Sequence, residues 1–119
     1  MRKKILIVED DEMLQSAWKR LLSVQLQAHM EVIQAFSIEE AEKVFNENSD
    51  LSAIAVDACV PGTEPNTVNM VLKFRKTFTG PMIAISGRDD FNQILMSAGC
   101  DHETGKSKLV KKIKEIFDF

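Results

Sequence analysis

An aspartate at the end of a buried apolar run is the first candidate for chemistry. Asp57 follows residues 51–56, an almost unbroken run of apolar and small residues that predicts a strand covered on both faces, as in a parallel sheet. Pro61 and Gly62 mark a turn four residues later. Aspartate is depleted in strands, and ligands bind at the carboxyl ends of strands in open α/β sheets. We therefore interpret Asp57 as the working residue of the chain.

Two further acids follow the first apolar run. Residues 4–8 predict another buried strand, and Glu9 and Asp10 come directly after it. If this strand lies beside the strand that ends at Asp57, the three carboxylates share one crevice at the carboxyl edge of the sheet. The next acid, Asp11, has a simpler role, because it is well placed as the N-cap of the following helix.

The elements that position these acids alternate along the chain. Strands are predicted at residues 4–8, 31–36, 51–56, 82–85 and, as a weak edge strand, 101–105, and helices at about 12–27, 38–48, 67–78, 89–98 and 107–117. Ser37 and Glu40 form a capping box at the second helix. This alternation predicts an α/β fold of the flavodoxin-like class: a doubly wound parallel sheet, (βα)5, with strand order 2-1-3-4-5 in a three-layer sandwich.

Apolar spacing also predicts which helix residues face the sheet. The predicted inward residues are Leu14, Ala17, Trp18, Leu21 and Leu22 in the first helix, Val68, Val71, Leu72 and Phe78 in the third, and Phe91, Ile94 and Leu95 in the fourth. Asp89 and Asp90 are predicted to cap the fourth helix.

Length and composition favour one globular domain. The chain has 119 residues, 45% hydrophobic and 28% charged, which suits a single domain over residues 1–119. A net charge of -3 gives no argument for nucleic acid or membrane binding, and no apolar run approaches the roughly 20 residues that span a bilayer. Two cysteines do not make a disulfide framework, so we expect a cytoplasmic location.

Five separate places in the chain carry a family resemblance. They are I-L-I-V-E-D-D-E with Glu9 and Asp10, V-D-A-C-V-P-G with Asp57, A-I-S-G with Ser86, G-C-D at Gly99, and Lys106. In this order they resemble a response regulator receiver domain of the CheY-like superfamily, over essentially the whole chain. The resemblance implies two-component signalling, in which a sensor histidine kinase or phosphotransfer protein phosphorylates Asp57 in a Mg²⁺-dependent reaction. Such a domain catalyses only its own phosphorylation and dephosphorylation, so we do not expect a metabolic enzyme.

Repulsion between the acids requires a cation. Two unit charges 4 Å apart repel by roughly 4 kcal/mol at an effective dielectric near 20, so three carboxylates and a phosphoryl group need a counterion. Oxygen ligands favour a hard ion such as Mg²⁺. The resemblance implies that Asp10 and Asp57 bind Mg²⁺ directly, that Glu9 acts through water, and that Cys59 contributes its backbone carbonyl.

The phosphoryl group needs positioned donors, because the protein's part in phosphoryl transfer is mainly positioning and charge stabilisation. Lys106, at the end of the fifth strand, can direct its ammonium at one phosphoryl oxygen, and Ser86 can donate a hydroxyl hydrogen bond to another. Backbone N–H groups near Ala58 and Gly87 can bind the same anion. By resemblance, Ser86 then moves toward the phosphoryl group, and the last helix-strand-helix face changes its contacts with a downstream protein or an output domain outside this chain.

The chain departs from the family where the switch operates. Glu103 stands at the strand 5 position that the family usually gives to Tyr or Phe, so the aromatic switch is missing. Ser107 replaces the usual proline after Lys106, and Gly87 replaces a common alanine after Ser86. These departures keep the phosphorylation residues and affect the output step. We expect no effector domain within the chain, which is either a stand-alone receiver or part of a longer protein.

Three other interpretations fit parts of the sequence. A degenerate receiver that acts as a phosphorylation-independent interaction module is supported by Glu103 and Ser107. A haloacid-dehalogenase-like phosphatase needs a second aspartate two residues after the first, where this chain has Cys59. A zinc site at residues 100–103 is disfavoured, because neighbouring strand residues point to opposite faces.

Overall fold

Five parallel strands form the centre of the molecule. The computed structural model describes residues 2–119. The strands are β1 (Lys3–Val8), β2 (Met30–Ala35), β3 (Ala53–Val56), β4 (Met82–Ala84) and β5 (His102–Glu103), and the sheet order is β2-β1-β3-β4-β5. The predicted fold class and strand order are therefore confirmed.

Helices follow every strand, with start signals that are partly those predicted. They are α1 (Glu12–Leu26), α2 (Ile38–Glu47), α3 (Val68–Arg75), α4 (Asp89–Ala98) and α5 (Leu109–Phe117), the last preceded by a 3-10 turn at Lys106–Lys108. Asp11 caps α1 and Ser37 caps α2 through side-chain oxygens, as predicted. The predicted cap of α4 by Asp89 and Asp90 is wrong, because its N-cap is Arg88 and no side-chain cap hydrogen bond forms. Within residues 2–119, no helix combines the length and apolarity needed to cross a membrane.

The register brings the ends of the strands to one edge. Val8 at the end of β1 pairs with Val56 at the end of β3, and Val56 pairs with Ala84 at the end of β4. Ala84 in turn pairs with Glu103 in β5. The residues that follow these positions therefore emerge together, which is the geometric basis of the site described below.

The sheet is buried between two apolar cores. Alternate residues of β1 face opposite sides, with Ile5 and Ile7 in one core and Leu6 and Val8 in the other. Each such side chain stabilises the fold by roughly 1.5–3 kcal/mol relative to an exposed position. Helices α1 and α5 cover the core that contains Ile5 and Ile7, with the buried side chains Trp18, Leu22, Leu109 and Ile113. Helices α2, α3 and α4 cover the other core, with the buried side chains Ala41, Phe74 and Leu95.

Several helix faces are rotated relative to the prediction. Leu21, Leu72 and Ile94, all predicted inward, are 43%, 48% and 40% exposed. Buried polar residues occupy part of the inward faces instead: Gln15 in α1 and Asn92 in α4. Both amides bind backbone groups at the ends of strands. Because these groups must be satisfied where they are buried, they influence the helix rotation, which apolar spacing alone does not predict.

Candidate functional site

Three carboxylates meet at the carboxyl edge of the sheet. Because Val8 pairs with Val56, Glu9 and Asp57 leave adjacent strands at the same level. Glu9, Asp10 and Asp57 each offer a carboxylate oxygen, and these oxygens all lie within 4.8 Å of one another. The predicted crevice shared by the three acids is therefore present. Asp10 is partly exposed, whereas Glu9 and Asp57 are buried.

One lysine faces this acidic cluster. The Nζ of Lys106 lies 2.7 Å from Glu9 Oε1 and 3.2 Å from Asp57 Oδ2. The 3-10 turn at Lys106–Lys108 carries it, and the indole Nε1 of Trp18 donates to its backbone carbonyl at 3.0 Å. The core of α1 thus fixes the main chain from which the ammonium reaches the strand ends.

Burial and charge shift the titration of the two paired groups. Burial raises the pKa of Glu9 to about 7, and the Asp57 charge adds to the rise, while the ammonium of Lys106 opposes it. For Lys106 burial lowers the pKa, but hydrogen bonding and charge contacts with Glu9 and Asp57 outweigh it, so the net shift is upward. Lys106 therefore stays charged at neutral pH, while Glu9 titrates there.

The donor set fits a hard divalent cation. Glu9 Oε1 is buried, and the ammonium of Lys106 is its ion-pair partner at 2.7 Å. The three carboxyl groups share the ammonium of Lys106, so a further cation would relieve the remaining excess of negative charge. Oxygen ligands of this kind suit Mg²⁺ or a similar ion. Cys59 lines the adjacent cleft, and its carbonyl as a ligand stays a prediction.

The backbone around Asp57 is fixed on both sides. Its N–H donates to Val8 O at 3.0 Å, and the N–H of Ala58 donates to Asp57 Oδ1 at 2.9 Å. The hydroxyl of Thr67, which is fully buried, lies 2.8 Å from Asp57 O and 3.1 Å from Ala58 O and donates to this pair of carbonyls. Thr67 was not predicted as a site residue. The one local pattern that could have indicated a structural role is its position directly before α3, where a threonine often caps a helix.

Ser86 is buried beside the same cluster at the end of β4. Its Oγ accepts a hydrogen bond from the N–H of Arg88 at 3.2 Å. The side chain of Asn92 in α4 holds its main chain from the other side. Gly87 is exposed and lines the same cleft, and its N–H as a donor to the anion stays a prediction.

These residues surround one open cleft, which we call the Asp57 cleft. Its volume is about 270 Å³. The cleft is lined by acidic, basic and hydroxyl side chains and by one aromatic ring. The lining residues are Asp57, Cys59, Gly62, Thr63, Ser86, Gly87, Arg88, Phe91 and Lys106. A small anionic group entering the cleft would thus meet the carboxylate, the ammonium and the hydroxyl together.

Glu103, the predicted switch position, lies outside the lining of the Asp57 cleft. Its Oε2 accepts a hydrogen bond from the Nε2 of Gln93 at 2.9 Å, which links β5 to α4. The zinc alternative for residues 100–103 finds no support: among residues 2–119, the acidic cluster is the one group of three His, Cys, Asp or Glu side chains close enough to hold a metal.

Comparison with known proteins places this arrangement on a familiar fold. No family model and no curated protein sequence matches the chain. Among solved structures, a CheY-like response regulator receiver domain protein from Methanospirillum hungatei is 25% identical, with a TM-score of 0.79 over 99% of this chain and 95% of that one. A Burkholderia pseudomallei response regulator with a phosphorylated aspartic acid, calcium ion and citrate is 18% identical, with a TM-score of 0.79 over 96% and 65%. The receiver domain of a Saccharomyces cerevisiae response regulator, solved with a histidine phosphotransfer signaling protein, is 20% identical, with a TM-score of 0.76 over 97% and 88%.

Proposed function

We propose that this chain, which has the fold of CheY-like response regulator receiver domains, accepts a phosphoryl group on Asp57 and changes its protein contacts in response. The observation that carries the proposal is the convergence of Glu9, Asp10, Asp57 and Lys106 at the strand ends, beside an open cleft. A carboxylate held between an ammonium and further acids suits the transfer of an anionic group better than a structural role.

The proposed reaction moves a phosphoryl group from a histidine nitrogen to a side-chain oxygen of Asp57. The nitrogen–phosphorus bond breaks as the oxygen–phosphorus bond forms, and the donor imidazole keeps the electron pair of the broken bond. The N–H of Ala58 fixes the carboxylate, Lys106 stabilises charge on the phosphoryl oxygens, and the hydroxyl of Ser86 donates to one of them. The N–H of Gly87 is the third proposed donor to the phosphoryl group.

Mg²⁺ is the proposed cofactor. Asp10 and Asp57 would bind the ion directly, and Glu9 would bind it through a water molecule. The backbone carbonyl of Cys59 would be a further ligand. When bound, the ion neutralises charge that the acids and the phosphoryl group would otherwise bring together.

The proposed phosphoryl donor is a sensor histidine kinase or a histidine phosphotransfer protein. The yeast relative bound to a phosphotransfer protein and the Burkholderia relative with a phosphorylated aspartic acid support this direction of transfer. The proposed output is a protein contact on the face formed by α4, β5 and α5, with no direct role for nucleic acid or membrane. We further propose a cytoplasmic signalling protein whose catalysis is limited to its own phosphorylation and dephosphorylation.

A second candidate function is a phosphorylation-independent interaction module. The hydrogen bond between Glu103 and Gln93 favours it, because a polar link joins β5 to α4 where the family places a mobile aromatic ring. In this alternative the chain binds its partner equally well whether or not Asp57 is modified.

Intact-mass measurement after incubation with a small acyl phosphate separates the two functions. We expect a gain of one phosphoryl group that requires Mg²⁺ and is lost with chelator and in Asp57→Asn. Asp11→Asn is the matched control, because Asp11 caps α1 and an asparagine keeps that role. Unchanged partner binding by Asp57→Asn, together with no phosphoryl gain from either an acyl phosphate or a phosphohistidine donor, would establish the interaction module instead.

A further inference from the structure

A buried amide on α4 has no place in the apolar pattern of that helix. Asn92 is 3% exposed, whereas Ile94, two residues later, is 40% exposed. Burial of an amide is unfavourable unless its hydrogen bonds are made, and exposure of an isoleucine forgoes the stabilisation of burying it. The rotation of α4 therefore favours the contacts of Asn92 over apolar packing.

Both ends of this amide bind the same residue. The Oδ1 of Asn92 accepts from the N–H of Ser86 at 2.8 Å, and its Nδ2 lies 3.3 Å from Ser86 O, to which it donates. Ser86 lies two residues beyond β4, and its N–H and C=O are both tied to one side chain of α4. The position of the Ser86 main chain is thus fixed by one side chain.

The hydroxyl of Ser86 is oriented as well. Its oxygen accepts from the N–H of Arg88 at 3.2 Å, which occupies one lone pair and leaves the hydroxyl hydrogen free to donate elsewhere. Ser86 lines the Asp57 cleft together with Asp57 and Lys106. A donor held in this way needs little rearrangement when charge develops in the cleft, which is the condition for effective electrostatic stabilisation.

We propose that Asn92 is a positioning residue that holds Ser86 in place to donate its hydroxyl to the phosphoryl group on Asp57. This inference rests on the proposed function, since the group that Ser86 would meet is the transferred phosphoryl. Asn92 itself does not line the cleft, so its effect on the reaction must pass through Ser86.

A double-mutant cycle on the rate of phosphoryl uptake tests the inference. Uptake from a small acyl phosphate at saturating Mg²⁺ is followed by intact mass in wild type, Asn92→Ala, Ser86→Ala and the double variant. We expect Ser86→Ala and Asn92→Ala each to lower the rate on the order of 10-fold, because a displaced donor loses much of its effect. In the Ser86→Ala background, Asn92→Ala should change the rate by less than about twofold, since its target hydroxyl is already gone.

Asn48→Ala is the matched control. The Nδ2 of Asn48 donates to Val44 O at 2.9 Å just beyond α2, away from the cleft, and its loss should leave the uptake rate unchanged. If Asn92→Ala does not fold, Asn92→Asp replaces it in the cycle, because aspartate keeps the acceptor for the N–H of Ser86 but loses the donor to Ser86 O, and so removes half of the hold on Ser86. Losses that simply multiply in the double variant would overturn the positioning role. No uptake by the wild type from any donor would instead overturn the proposed function on which it rests.

Discussion

Replacing Glu9 by glutamine should change how the stability of the protein depends on pH. Glu9 is 1% exposed, and burial raises its pKa from 4.5 to about 7. Between these two values the native state keeps a proton that the unfolded chain releases. The native state therefore binds more protons, and the free energy of unfolding falls as the pH rises through this interval.

The size of this effect follows from the two pKa values. A difference of about 2.5 between native and unfolded Glu9 corresponds to about 3 kcal/mol, because each pH unit contributes about 1.4 kcal/mol. The loss is complete a little above the native pKa of about 7 and absent below about 4.5. Glutamine does not titrate, so Glu9→Gln should be less sensitive to pH than the wild type by this amount.

Urea unfolding in the presence of chelator, at several pH values from about 4.5 to 8, measures the difference. Comparison with Glu9→Gln cancels the contributions of every group other than Glu9 that is the same in both proteins. Glu31→Gln is the control, because the side chain of Glu31 is 43% exposed and its ion pair with Arg2, at 3.6 Å, lies at the surface. Parallel pH profiles for wild type and Glu9→Gln would refute the raised pKa and the burial argument behind it.

Three further predictions concern the same framework. Mg²⁺ binding at about pH 6.5 should release protons from Glu9. The calorimetric heat of binding should therefore vary with the ionisation enthalpy of the buffer in wild type but not in Glu9→Gln. An equal dependence in both proteins would contradict the raised pKa of Glu9. Lys106→Met removes the ammonium that lowers the pKa of Glu9. In the same urea titrations, the free energy of unfolding should therefore keep falling to a higher pH than in wild type. An unshifted pH profile would count against the ion pair between Lys106 and Glu9. Arg75→Met should lower the free energy of unfolding by about 2–3 kcal/mol and leave phosphoryl uptake unchanged. The reason is that the guanidinium donates to the carbonyls of Gly99, Phe78 and Gly80. A stability equal to wild type would show that water replaces these bonds.

The acidic cluster could be predicted from the sequence because it depends on simple rules. Apolar runs marked the strands, and Glu9, Asp10 and Asp57 come directly after two of them. The usual strand order of a doubly wound sheet then places both ends side by side. Lys106 was located only through the resemblance, since a lysine near a helix start has no pattern of its own.

The buried polar contacts could not be predicted in the same way. Gln15, Thr67 and Asn92 bind main-chain groups of residues 6 to 20 positions away in the chain, and those partners are defined only once the strands are in place. Apolar spacing assigned none of these polar residues to the buried faces, and it placed Ile94 there. The fifth strand is also shorter than predicted, at His102–Glu103, because its sequence offers no large apolar side chain to bury.

Mapping the residue that carries the phosphoryl group tests the central claim most directly. The chain is incubated with a phosphohistidine donor and Mg²⁺, and borohydride then reduces any aspartyl phosphate to homoserine, which peptide mass spectrometry locates. We expect homoserine at position 57 alone, and none after incubation with chelator. Homoserine at another acid, or none although the donor loses its phosphoryl group to the chain, would contradict the assignment of Asp57 as the acceptor.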